Sequence, residues 1–195
     1  MDIVSYLLGK GGGGSGGGVD WSYIGYSGLP KSIVDGYNYA KTIYDAWDDS
    51  TTSMYNKYSA DRKMVLFPLI NTSNVTSMQN AFRNNFSLIE LPLLDTSNVT
   101  NMENAFFGCS ALRKIPVFNT GKVTNFYNAF SGAGMLDDES LDNLLVMCIN
   151  ASVYTGTKTL KTLGIQNNIN TYPVSRFEAL PHYQAFINAG WTVGY

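Results

Sequence analysis

The sequence predicts an α/β solenoid: a stack of strand–turn–helix units of period 24, with helical caps at both ends. Three observations carry that expectation. Identical residues recur at a fixed step of 24, as in Pro68, Pro92 and Pro116, or Phe82, Phe106 and Phe130. Each copy runs in the same order, from a short apolar run through turn residues to a second apolar stripe. The flanks carry apolar stripes without the repeat, as the ends of a stacked array require.

The repeat is the most specific feature of the chain, and repeats of this length indicate stacked architectures. Val75, Val99 and Val123 keep the step, as do Thr76, Thr100 and Thr124. Asn80, Asn104 and Asn128 follow, then Ala81, Ala105 and Ala129. Met78 and Met102 are matched by Phe126, which changes shape and keeps apolar character.

In the middle copy Leu88-Ile89-Glu90-Leu91 reads as a strand closed by Pro92, which has no N–H to donate to a ladder. Asp95-Thr96-Ser97-Asn98 supplies turn and N-cap chemistry, short oxygens that satisfy the orphan amides of a new helix. Val99, Met102 and Phe106 then share a helical face, and Gly108 stands where that helix would end. Such a unit is too small to bury its own apolar face, so the units should stack, each covering the next.

The chain divides by this reading into five parts. Residues 1–10 form an apolar peptide, 11–18 a glycine-rich linker, 19–62 an N-terminal cap, 63–134 the three repeats and 135–195 a C-terminal cap. In the N-terminal cap, Ile33, Tyr37, Ala40, Ile43, Tyr44 and Trp47 make a helix-like stripe despite Gly36. At the other end Asp137-Asp138-Glu139-Ser140 puts negative charge at a helix start, followed by Leu141, Leu144, Leu145 and Cys148. Thr159–Gly164 reads as a degenerate strand, and Phe177–Ala189 as a helix broken near Pro181, with Trp191 and Tyr195 packing back.

The glycine-rich linker behaves as a flexible coil spanning roughly 15 Å. Ahead of it Ile3, Val4, Tyr6, Leu7 and Leu8 offer a sticky face about two helical turns long, too short to order alone. That layout is an anchor peptide on a leash, docking into a virion or other assembly protein. The competing reading is an engineered linker, because Gly-Gly-Gly-Gly-Ser strings are common joints.

Composition narrows the function classes. Charged residues are only 14% of the chain and the net charge is −2, so electrostatics give no reason to expect nucleic acid. No apolar run approaches the roughly 20 residues that span a bilayer. The segment Ile3–Leu8 is short for a secretory signal, and Asp2 stands where positive charge belongs. Cys109 and Cys148 are too few for a disulfide framework or a zinc pattern and read as small buried hydrophobes.

No catalytic chemistry is expected from the residues. The glycine run lacks the Gly-Lys-Ser/Thr of a phosphate loop. His182 is the sole histidine and reads as structural or surface. Asp48 and Asp49, like Asp137, Asp138 and Glu139, are adjacent rather than opposed across a cleft, and read as helix-end charges. No cofactor or metal is expected. Asn71, Asn74, Asn85, Asn98 and Asn150 fit the glycosylation sequon, chiefly because the repeat's turn needs Asn and Thr. Candidate ligand contacts are the positions where packing leaves identity free: Arg83, Glu90, Arg113 and Lys114.

The stretch Leu91-Pro92-Leu93-Leu94-Asp95-Thr96-Ser97-Asn98-Val99-Thr100-Asn101-Met102, continued by Ala105-Phe106-Phe107-Gly108-Cys109, resembles the BspA-type leucine-rich repeat. That family occurs in bacterial surface proteins and in phage and prophage proteins. The resemblance covers roughly Met64 to Gly132 and implies a leucine-rich-repeat-like solenoid that binds varied partners with no shared active site. The third unit departs from it, with Gly121-Lys122 for Ser-Asn and Ala133 for Cys, which predicts a looser turn. The segment from Tyr154 to Gly164 and the C-terminal Ala189–Tyr195 resemble the tails of BspA-like phage proteins, and the first ten residues resemble the start of certain phage structural proteins.

The resemblance therefore implies a phage virion component (decoration, head-fibre, tail or baseplate-associated) that attaches to a host-surface protein or glycan. A bacterial cell-surface adhesin is the alternative. Self-association into a homo-oligomer is compatible with either.

Overall fold

The computed structural model describes residues 31–161 and 172–194. Helix α1 spans Lys31–Asp45 and helix α2 spans Asp138–Asn150. Between them lies chain without helix, wound into stacked coils. After α2 come strand β1 (Thr159–Lys161), helices α3 (Val174–Glu178) and α4 (Tyr183–Asn188), and strand β2 (Thr192–Gly194). The two strands pair in parallel, with Leu160 opposite Val193.

Each coil sits on the next at a step of one repeat. Parallel bridges join Ser53 to Ser77, Ser77 to Asn101 and Asn101 to Asn125, and a second series joins Leu66 to Glu90 and Glu90 to Lys114. The Thr76, Thr100 and Thr124 amides each donate 2.8 Å bonds to Thr52, Thr76 and Thr100 carbonyls, and the same threonines' hydroxyls donate to those carbonyls at 3.1 Å. Thr72 and Thr96 are buried and donate 2.9 Å hydroxyl bonds to the Asp95 and Asn119 carbonyls of the following coil. The repeated threonines are therefore rivets between coils.

The expected helix in each repeat is absent, and the hydrogen bonds say why. From Met102 onward the even-numbered amides leave the coil: Met102, Asn104, Phe106 and Gly108 donate to Asn125, Tyr127, Ala129 and Ser131 carbonyls at 2.8–2.9 Å. The odd-numbered amides close tight turns within it, Ala105 to Met102, Phe107 to Asn104 and Cys109 to Phe106. A helix would need every amide for itself. Asn104 (φ 51°) and Gly108 (φ 72°) also take the left-handed conformation, which right-handed helices exclude. The predicted strand shrinks as well, to a single bridging residue at Glu90.

The stack begins earlier than the repeat's clear columns. Met54, Asn56, Tyr58 and Ala60 donate to Ser77, Gln79, Ala81 and Arg83 carbonyls, so residues 52–60 form a coil in register inside the segment read as a cap. Asn56 and Ala60 share the positive φ of Asn80 and Asn84, and of Asn128 and Gly132. Tyr58 stacks on Phe82 at 5.8 Å, and Phe82, Phe106 and Phe130 continue the column at 5.3 and 4.8 Å.

Helix α1 lies over the first coil. Tyr37, Ala40 and Ile43 are buried, and Tyr44 and Trp47 pack on the same core. Gly36 eases the close approach there, because a Cβ would stand 3.3 Å from that of Val65. Trp47 donates its indole N–H to the Asn71 carbonyl at 2.8 Å. At the other end Asp137 caps α2, accepting from the Ser140 amide at 2.8 Å, with Asp138 and Glu139 in the first turn where the helix dipole favours them. Ser140 in turn accepts from the Ile115 amide, and Thr120 donates to the Met147 carbonyl at 2.6 Å. Helix α2 thus replaces a further coil along that edge. Trp191 is buried and Tyr195 lies outside the described residues.

Burial pushes the Tyr58 and Tyr172 hydroxyls up to about 12. A phenol kept neutral by the fold contributes stability that is complete below its unfolded pKa near 10 and is lost as pH rises through the folded value. Unfolding free energy should accordingly fall between about pH 10 and 12. Denaturant melts across that window, paired with the ultraviolet signature of tyrosinate, measure it; flat stability through pH 12 would contradict the burial of these rings.

Candidate interface on the repeat face

Stacking turns sequence columns into surface stripes about 4.8 Å per step. Two columns on the first bridge series carry polar side chains that bond to one another. Asn101 donates to Gln79 Oε1 at 3.4 Å, Gln79 to Glu103 Oε2 at 3.2 Å and Asn125 to the same oxygen at 2.9 Å. Tyr55 and Tyr127 end this stripe and are about half exposed. Because these polar groups satisfy each other, the face is ordered before any partner arrives.

The second bridge series carries a different surface. Beside it, one residue after each repeated proline, Leu69, Leu93 and Val117 form an aliphatic column. Leu93 is 62% exposed and Val117 37%, and a row of exposed aliphatics on a rigid backbone suits contact with another molecule. Of the four residues predicted as ligand contacts, Glu90 and Lys114 lie on this series, bridged to each other through the backbone. Arg113 immediately precedes Lys114, its amide bonded to the Ile89 carbonyl at 2.8 Å. Arg83 lies apart from these bridges, with its guanidinium 5.5 Å from the Phe107 ring centre. Sequence reasoning missed Leu93 and Val117; their place after a recurrent proline, outside the buried columns, was the available signal.

The remaining predicted features take structural places. Asn85 is fully buried and donates to the Tyr58 carbonyl, which removes it as a glycosylation acceptor in the folded chain. Asn74 and Asn98 donate to the Asp49 and Ser73 carbonyls of the preceding coil at 2.9 Å. Lys122 takes over that role by reaching Asn98 Oδ1 at 2.7 Å, and the Gly121 amide keeps the turn to Asn119 Oδ1 at 3.1 Å. The third turn is therefore as well tied as the others, against the expectation of a looser one.

Asn104 and its equivalents hold the left-handed backbone. The side-chain oxygens of Asn80 and Asn128 are buried with no hydrogen-bond partner, so a side-chain ladder does not explain this column.

His182 joins α4 to α2: its Nδ1 lies 2.7 Å from Asp142 Oδ2 and its amide donates to Asp142 Oδ1 at 3.0 Å. Asp48 follows α1 without capping it, accepting instead from the Ser50 amide, a bond that holds its carboxyl below the ordinary range. Asp95 is lowered by Ser97, first through its hydroxyl and then through its amide. The two cysteine thiols are free and buried, and burial drives Cys109 up to about 12 and Cys148 further. Neither is a ready nucleophile.

Among the described residues no cluster of three or more His, Cys, Asp or Glu is placed to hold a metal ion, and no helix is long and apolar enough to cross a membrane. The proposed anchor residues Ile3, Val4, Tyr6, Leu7 and Leu8, and the glycine run, lie outside the described residues.

A family model described as "Mycoplasma protein of unknown function, DUF285" matches residues 49–161. The match spans more than half of the 195-residue chain, and it takes in the early coil at residues 52–60. No curated protein and no solved structure matches.

Proposed function

The chain belongs to the DUF285 family, and from that membership we propose that it is a non-enzymatic binding protein built as a leucine-rich-repeat-like solenoid of the BspA type. The coils support this reading by repeating one backbone at a fixed step while leaving the surface columns free to vary. The single observation that carries it is the aliphatic column of half-buried Leu69 and exposed Leu93 and Val117, near Glu90, Arg113 and Lys114 in the chain. Nothing in the packing of the coils requires large apolar side chains to face solvent there. A partner does.

The partner reading extends to a virion. The N-terminal peptide would dock into an assembly protein, and the glycine run would let the solenoid project toward a host-surface protein or glycan. What supports this placement is the resemblance to phage proteins, together with a weakly charged surface rich in Asn, Ser, Thr and Tyr. A bacterial surface adhesin uses the same face from a cell wall.

The two settings separate experimentally. Particles released from producing cells are banded by density and probed with antibody, beside intact cells labelled from outside. Virion placement predicts that the protein bands with particles and that removing residues 1–18 abolishes it. Surface labelling of cells with none in particles would establish the adhesin instead. In either setting Leu93→Asp should weaken attachment to host cells at least tenfold while leaving the melting curve unchanged, because the side chain is mostly in solvent. Unchanged attachment would remove this face from the account.

A further inference from the structure

The last coil ends in an incomplete ladder. In every earlier coil the four even-numbered amides of this segment donate to the next coil; those of Asn56, Asn80 and Asn104, for example, reach Gln79, Glu103 and Tyr127 carbonyls at 3.2, 2.9 and 2.9 Å. The equivalent amides of Phe126, Asn128, Phe130 and Gly132 have no following coil and meet no backbone acceptor among the described residues. Helix α2 closes the other edge of the same end through Ser140 and Asn143, so the opening is confined to this segment.

Over the open amides lies a cavity of about 100 Å³. Residues 126–131 make its floor, and Tyr154, Thr157, Thr159, Leu160 and Trp191 its walls. Tyr154 and Trp191 stack at 5.6 Å, and Trp191 also meets the Phe126 ring edge-on at 6.0 Å. Gly156 makes room for this wall, since a Cβ there would fall 2.4 Å from the Tyr154 hydroxyl.

The lining selects a chemistry. Backbone amides in a row offer donors to an acceptor. Among the described residues no Lys or Arg lines the cavity, so a neutral carbonyl fits better than a carboxylate or phosphate, whose charge would lose its water uncompensated. The volume is too small for a whole peptide strand. A carbonyl carrying a small apolar group, beside aromatic rings and threonine hydroxyls, describes an acetamido group on a sugar.

We propose that this end cavity binds an N-acetylated amino sugar, its carbonyl accepting from the Asn128 and Phe130 amides and its methyl resting against Phe126 and Trp191. This site is separate from the Leu93 column, and neither depends on the other.

The test is an amide NMR titration of the full chain with the disaccharide of N-acetylglucosamine. Saturable downfield shifts of the Asn128 and Phe130 amides are expected, with no response to the glucosamine disaccharide, which lacks the acetyl group. Trp191→Leu should weaken binding at least tenfold; should that variant misfold, the comparison of acetylated and free sugars on the unaltered protein decides. Equal response to both sugars, shifts lying elsewhere, or none at tens of millimolar would each overturn the proposal. So would an acetyl-lysine peptide that shifts these amides while the sugar is silent.

Discussion

Replacing Phe106 by Ala is expected to destabilise the chain by about 3–5 kcal/mol, the range for emptying a buried aromatic site. Phe106 is fully buried at the middle of the stack. Its ring lies 5.3 Å from Phe82, 4.8 Å from Phe130 and 5.8 Å from Phe118, nearly parallel to the first and last. Two neighbouring coils lose their shared contact at once, and both are held by backbone bonds that resist collapse into the gap. Against a typical total of about 5–15 kcal/mol, that loss is large enough to threaten folding. Urea denaturation measures it. Tyr55→Ala, at a half-exposed position two coils earlier, is the control and should stay within about 0.5 kcal/mol. Equal losses from the two variants would mean that the phenylalanine column does not join the coils.

Asn104→Leu carries the second large effect, about 1–2 kcal/mol from forcing a bulky residue into the left-handed region. Asn104 has φ 51°, and Asn56, Asn80 and Asn128 repeat it. Asn tolerates this conformation better than other non-glycine residues. Asn104→Gly separates the two explanations for the column. If backbone conformation is the reason, Gly should hold stability within about 1 kcal/mol of the native chain, its freedom when unfolded being the main loss. A glycine variant as weak as the leucine variant would instead assign the role to the amide side chain.

The period and the core columns were legible because buried positions admit few residue types. Val, Ala and Phe cannot drift where the next coil leaves no space, so they survive from copy to copy. The helix within each unit was misread for a specific reason. Val99, Met102 and Phe106 do point to one side, yet a run of tight turns turns successive side chains inward at similar intervals. Asn104 and Gly108, four residues apart and repeated as Asn128 and Gly132, were the signal against a helix, since both favour left-handed backbone. The early coil was hidden because its column holds Tyr58 in place of Phe and Lys57 in place of Ala, substitutions that the end of a stack tolerates.

The surface was legible only in part. Glu90, Arg113 and Lys114 stood out because their columns vary, and the structure bridges Glu90 to Lys114 and bonds the Arg113 amide to the Ile89 carbonyl. The end cavity was not readable at all. Its floor consists of main-chain amides, which leave no mark in side-chain identity, and its walls come from residues 154–160 and 191. Only the folded chain reveals that four donors meet no backbone acceptor among the described residues.

The central claim is that backbone bonds run from coil to coil at the repeat's own step. Scalar couplings transmitted through hydrogen bonds test it directly by NMR. The predicted couplings join the Thr100 amide to the Thr76 carbonyl and the Thr124 amide to the Thr100 carbonyl, both across 2.8 Å bonds. Couplings from these amides to carbonyls four residues back would instead describe helices, and would contradict the stack.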